Sequence, residues 1–178
     1  NNLTKKSFLE NYEENCSKLL SGYGWNSIKL QKCLDDARLF QIKNDLKKWI
    51  SLHRPFNEVI NFIKYAKDKG YKIGVISTKS KTFTAQILSN LKIYPELVFG
   101  YECGTKVDII STLSLSYDIQ GFVEDRRKTL SNILQNNQTS FIKCYLAEWG
   151  YLKSTDKIDL PKGIELLKIK NLEDLVAN

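Results

Sequence analysis

Five residues of this 178-residue chain have the types and positions that chemistry requires: Ser77, Thr78, Lys106, Glu124 and Asp125. The run Tyr71-Lys72-Ile73-Gly74-Val75-Ile76 is mostly apolar and stops at Ser77-Thr78-Lys79, with an amphipathic stretch from Thr82 to Leu91 directly after it. That order predicts a buried strand feeding a helix. Both hydroxyls then sit at the strand's carboxyl end, where open α/β sheets bind their ligands. A hydroxyl there, beside a helix amino terminus and the N–H groups of a turn, can donate to phosphate oxygens. The competing reading is that Ser80 or Thr78 merely caps the helix.

Lys106 falls in the first turn of a predicted helix, where the macrodipole is positive and a cation is unfavourable by roughly 0.3–1 kcal/mol. A bound anion would reverse that sign; a side chain pointing into water would only screen it. Glu124-Asp125 ends another apolar run and precedes Arg126-Arg127-Lys128. Oxygen ligands at a sheet edge suit a hard cation such as Mg²⁺, which also contacts substrate phosphates. A solvated turn with local ion pairs is the alternative. Together the three segments point to a site for a phosphate and a metal ion.

The elements that must position these groups follow from periodicity. Residues 1–53 hold no convincing strand. Phe8, Tyr12, Cys16 and Leu19 recur at helical spacing, as do Cys33, Leu34, Ala37 and Phe40, then Leu46, Trp49 and Ile50, with a break at Ser21-Gly22-Tyr23-Gly24. Two or three helices are expected there. Beyond Arg54-Pro55 the pattern alternates: helix 57–69, strand 71–77, helix 80–91, strand 97–99, helix 106–117, strand 121–123, helix 127–136, and strand-like stretches at 140–146 and 164–169. A final turn runs from Asn171 to Val176. Thr105 three residues before Asp108 reads as a capping box. Strands alternating with helices imply an α/β domain, a Rossmann-like parallel sheet with helices on both faces, preceded by a small all-helical part. Right-handed crossovers would bring every strand's carboxyl end to one edge.

The chain's formal net charge is +7, and the excess lies in residues 41–82, which hold ten Lys or Arg against three Asp or Glu. The residues read as a solvated helix surface, with Lys64, Lys67 and Lys69 flanking Ile60, Ile63 and Ala66. A nucleic-acid-binding module built on this basic stretch is a secondary alternative, since no arginine-rich run or aromatic–basic interleaving accompanies it. No apolar run reaches the roughly 18 residues of a membrane span. The four cysteines are dispersed and the one histidine, His53, lies at the boundary, so a zinc site of familiar spacing is not expected. Reduced, mostly buried thiols in a cytoplasmic protein are the expectation. Trp149-Gly150 follows a strand and could line the site, although a core or lid contact is the favoured reading.

A hydroxyl after one strand, a lysine opening a later helix and acids after the next strand, in that order, resemble the haloacid dehalogenase superfamily. Its members are mostly Mg²⁺-dependent phosphatases. The run Pro55-Phe56-Asn57-Glu58-Val59, then a helix, then Lys69-Gly70-Tyr71 through Lys79, also looks like that superfamily's approach to its second motif. The resemblance implies an α/β core over 54–178 and a helical cap over 1–53. It implies that Ser77 holds the transferring phosphoryl group and that Lys106 neutralises nucleophile and phosphate. It further implies that Asp125, with Glu124 beside it, holds Mg²⁺; Thr129 stands where some relatives carry a second acid. The implied activity is hydrolysis of a small phosphorylated metabolite through an aspartyl-phosphate. One element departs from the pattern. No Asp-x-Asp pair occurs in the sequence, and Asp35-Asp36 lies in a helical pattern. The expectation is a truncated chain, inactive alone, whose nucleophile strand belongs between the strands ending at Ser77 and Asp125. A non-catalytic domain of the same fold that binds a protein partner is the alternative.

Overall fold

The computed structural model describes residues 7–8 and 11–177. The chain divides into two compact units, Asn1–His53 and Arg54–Asn178. In the first, helix α1 (Tyr12–Gly22) ends at the expected glycine-rich break. Helix α2 (Ser27–Ser51) follows, with the Asn26 side chain accepting the Lys29 N–H at its amino end. It is kinked at Asp45, which leaves helical geometry (φ −156°, ψ 83°) and accepts the Lys48 N–H on its side chain, so it caps a second helical piece. Trp49 is buried, and the ring of His53 packs on it with 4.7 Å between ring centroids.

The second unit is α/β. Its elements are α3 (Asn57–Asp68), β1 (Gly74–Ile76), α4 (Lys81–Asn90), β2 (Leu97–Phe99), α5 (Lys106–Ser114), β3 (Phe122–Glu124), α6 (Arg127–Gln135), β4 (Cys144–Ala147) and β5 (Ile164–Leu167). A 3-10 segment, Ile169–Val176, packs against α3. All strand pairs are parallel, as alternating strands and helices require.

The strands form two sheets rather than one: β1 with β2, and β3–β4–β5 with β4 central. In a parallel ladder every second residue turns its N–H and C=O toward a given neighbour. Ser77 donates to the Phe99 carbonyl, and the Ile73 carbonyl accepts from Leu97, so residues 73, 75 and 77 face β2. Gly74 and Ile76 therefore turn their backbone groups the other way. On β3, Phe122 donates to Lys143, which leaves the groups of Val123 directed away from β4. Gly74, Ile76 and Phe122 line one cleft of about 440 Å³, walled also by Ile110 and Leu113 of α5. No ladder bond crosses that cleft among the described residues.

The core consists of Ile110, Leu130, Ile133, Ile142, Cys144, Leu146 and Ile164, where α5 and α6 cover the three-stranded sheet. Ile76 and Phe122 pack against it from β1 and β3. Fully burying each large aliphatic side chain contributes roughly 1.5–3 kcal/mol. Two expected strands are shorter than the apolar runs that predicted them. The run at 71–77 contracts to 74–76, because its partner β2 is only three residues long and the Ile73 N–H is taken by the Glu96 side chain at 2.7 Å. The run at 140–146 starts instead at Cys144. The buried Thr139 hydroxyl donates to the Ile133 carbonyl (2.8 Å), Ile142 donates to the Thr139 carbonyl, and the chain is held in a turn. Of the four thiols only Cys144 is buried; Cys33 and Cys103 are exposed and Cys16 is half-buried. The expectation of mostly buried thiols therefore fails, because two of those positions lie on outward helix or turn surfaces.

Candidate active site

Thr105 and Asp108 form the capping box expected at the start of α5: the threonine hydroxyl accepts the Asp108 N–H, and the aspartate accepts the Thr105 N–H. The Thr105 hydroxyl also donates to this carboxylate at 2.7 Å, and that bond, followed by the one from the Thr105 N–H, holds the Asp108 carboxyl below its ordinary range. The box fixes the first turn of α5 and so fixes where Lys106 begins. The Lys106 ammonium pairs with Glu124, the last residue of β3, and lies 5.8 Å from the centroid of the Phe122 ring. Both partners are well shielded, with side chains 21% and 6% exposed. The other oxygen of Glu124 accepts the N–H groups of Asp125 and Arg126, each at 3.1 Å. Both oxygens of this carboxylate are therefore engaged by the protein itself.

Asp125 is held differently. Its Oδ2 accepts the Tyr151 N–H at 3.2 Å. The loop after β4 approaches so closely at Gly150 that a Cβ there would overlap the Asp125 side chain and lie 2.8 Å from Oδ2. Only glycine permits that contact without displacement. Asp125 keeps an oxygen with no partner among the described residues, and it opens with Glu124 onto a cavity of about 600 Å³. Mg²⁺ is commonly bound through one or two carboxylates, with waters and substrate phosphate completing its shell. The donor set fits that pattern through Asp125, whereas Glu124 is committed to Lys106. No cluster of three or more His, Cys, Asp or Glu side chains occurs among the described residues.

Ser77 lies just beyond β1, and its hydroxyl oxygen accepts the Lys79 N–H at 3.0 Å. A hydroxyl that accepts in this way retains its proton for donation elsewhere. Thr78 is exposed. Ser80 caps α4 by accepting the Phe83 N–H, as the simpler reading allowed. Glu102 carries no local signal of its role: its carboxylate accepts the N–H of Lys81, the first residue of α4, at 2.8 Å. A protein carboxylate thus occupies part of the helix terminus beside Ser77–Thr78. No hydrogen bond or ion pair joins Ser77 to Lys106, Glu124 or Asp125. The structure therefore brings Lys106, Glu124 and Asp125 together at one place and leaves Ser77 and Thr78 on the neighbouring sheet. Arg127, one of the three cations after Asp125, is structural: its guanidinium donates to the Ile158 carbonyl at 2.7 Å and to Thr155 at 3.3 Å.

The cavity above Asp125 is walled by Arg54, Phe56, Trp149 and Tyr151 among others. Trp149 thus lines a cavity, the less favoured of the two readings of that position. The usable signal was its position directly after a strand, at the edge where Glu124-Asp125 also ends one.

A phosphoglycolate phosphatase from Aquifex aeolicus (strain VF5) is 25% identical to this chain over 175 residues, covering 90% of this chain and 81% of that protein. This similarity supports a haloacid dehalogenase-like hydrolase relationship. No family model matches the chain, and no solved structure matches it significantly. A haloacid dehalogenase-like relationship accords with the α/β architecture and its parallel strands. At the coarse level the similarity supports a phosphatase. Among the described residues no helix is long and apolar enough to cross a membrane.

Proposed function

We propose that this chain carries the phosphate- and cation-holding part of a Mg²⁺-dependent phosphomonoester hydrolase, acting on a small phosphorylated metabolite. The observation that carries the reading is the end of β3, where Glu124 pairs with Lys106 and lines, with Asp125, a cavity of about 600 Å³. In it, Asp125 binds the cation through its unengaged oxygen. Mg²⁺, when bound, supplies charge stabilisation to phosphoryl oxygens. Glu124 orients Lys106 and leaves two of its ammonium protons free for a phosphoryl group or a nucleophilic carboxylate. The Ser77 hydroxyl, with Thr78 beside it, donates to a phosphate oxygen. Residues 1–53 act as a helical cap that selects the ester.

The nucleophile comes on a strand that this sequence does not contain. Two features support that assignment: the sequence has no Asp-x-Asp pair, and no ladder bond among the described residues joins β1 to β3, whose Gly74, Ile76 and Phe122 line a shared cleft. A strand laid there would pair on both sides. Its carboxylate would attack phosphorus and release the alcohol, and water would then hydrolyse the aspartyl-phosphate. The chain alone is accordingly inactive.

The test is to express the chain together with its upstream coding sequence and to assay phosphate release from a broad ester panel, with and without Mg²⁺. Mg²⁺-dependent release, lost in Asp125→Asn, is expected. Only background turnover across the panel would count against the reading. An upstream strand lacking Asp-x-Asp would instead favour a non-catalytic domain that binds a protein partner.

A further inference from the structure

The cavity above Asp125 is far larger than a phosphate needs, and its far wall is chemically distinct. Pockets of roughly 300–1,000 Å³ enclose whole organic ligands, with aromatic walls and a few placed polar groups; this one measures about 600 Å³. Phe56, Trp149 and Tyr151 reach it from two segments far apart in sequence, the lead-in to α3 and the loop after β4. Phe56 is 49% exposed and Tyr151 wholly so, although each carries a large apolar surface. Arg54, on the same wall, makes no ion pair or hydrogen bond among the described residues. A planar guanidinium without a carboxylate partner stacks on rings and donates to ring oxygens or nitrogens.

We propose that this wall binds the leaving group of the substrate and that the leaving group contains a planar aromatic or heteroaromatic ring. The proposal rests on the phosphohydrolase reading for where the phosphate lies, and adds the class of ester. A ring stacked on Trp149 covers the exposed aromatic faces, and Arg54 closes its polar edge. A small aliphatic ester, by contrast, leaves those faces in water. Stacking of a base on an aromatic side chain is worth about tenfold or more in affinity.

The test compares three probes that share parts: adenosine 5′-monophosphate, ribose 5-phosphate and adenosine. Each is titrated into the whole chain with Mg²⁺ present, by calorimetry and by quenching of tryptophan fluorescence. The monophosphate should bind about tenfold more tightly than ribose 5-phosphate. Trp149→Leu should bring that ratio close to one with ribose 5-phosphate affinity unchanged, and Arg54→Gln should weaken only the two ring-bearing probes. Equal affinity of the two phosphates in the unaltered protein overturns the proposal without any variant, as does failure of all three to bind. A ratio that survives both Trp149→Leu and Phe56→Ala overturns it as well. Adenosine binding as tightly as its monophosphate keeps the ring site and counts instead against the phosphate reading. Equal binding of both phosphates, abolished by Asp125→Asn, does the opposite.

Discussion

Replacing Lys106 with Met tests whether the Lys106–Glu124 pair organises the end of β3. Met preserves the stem of the lysine and removes the charge. The Glu124 side chain, 6% exposed, would then keep its two backbone N–H donors but lose its counter-charge. Breaking a fully buried pair costs about 3–5 kcal/mol. Lys106 is 21% exposed, and the two remaining donors offset part of the loss, so about 1.5–3 kcal/mol is expected. Glu124→Gln should cost less, about 1 kcal/mol, since its amide oxygen still accepts both N–H groups and Lys106 can turn to water. The double variant leaves no orphaned charge, so the two single effects should not add, with a coupling of about 1–2 kcal/mol. Urea denaturation of the four proteins measures this, read from midpoints at unchanged slope. Shielding of the pair also means that 0.5 M salt should alter the coupling little. Additivity within about 0.3 kcal/mol would refute the reasoning, as would a Lys106→Met variant no less stable than Glu124→Gln.

Gly150→Ala should displace Asp125, lowering stability by about 1–3 kcal/mol and weakening Mg²⁺ binding about tenfold, by thermal melting and metal titration; an unchanged Asp125 site would contradict the close approach at Gly150. A thiol reagent at neutral pH should label Cys33 and Cys103 quickly and Cys144 only after unfolding, because burial raises the Cys144 thiol to about 11 and hides it; mass spectrometry of the labelled peptides reads the order. Hydrogen bonds from Lys67 and from the Ile73 N–H hold the Glu96 carboxyl below its ordinary range. Its contribution is therefore present at neutral pH and is lost as pH falls through the lowered folded-state value. Glu96→Gln should cost about 0.5–1 kcal/mol near pH 7 and nearly nothing in strong acid, in denaturation midpoints taken across that range.

What could be read from the residues in advance was mainly local. Thr105 and Asp108 are three apart and cap one helix whatever surrounds them, so the start of α5 was legible. The alternation of β-type and helical periods gave the parallel α/β class for the same reason. Long-range partners were not legible. Lys106 and Glu124 were both singled out, yet at a sequence separation of 18 nothing local told that they bind each other rather than a ligand. Glu102 reaches the start of α4 only because Gly100 lets two backbones nearly touch, a fact of tertiary approach. Strand ends were also beyond local reading. The run 140–146 is strand-like in composition, but a hydroxyl at Thr139 diverts its first half into a turn. Arg54 and Phe56 looked like a boundary and a helix lead-in, and only the fold turns them toward a cavity shared with Trp149.

The unbridged cleft between β1 and β3 has a mechanical consequence. Ser77 rides on the two-stranded layer and Asp125 on the three-stranded one. Contacts such as Ile76 and Phe122 on the core resist separation, but they are non-directional and permit sliding, whereas ladder bonds fix both spacing and offset. Ser77 and Asp125 are thus free to shear past each other without breaking a single inter-strand bond among the described residues. Any segment that zipped into the gap would rivet the halves into one rigid platform and set the span between hydroxyl and carboxylate.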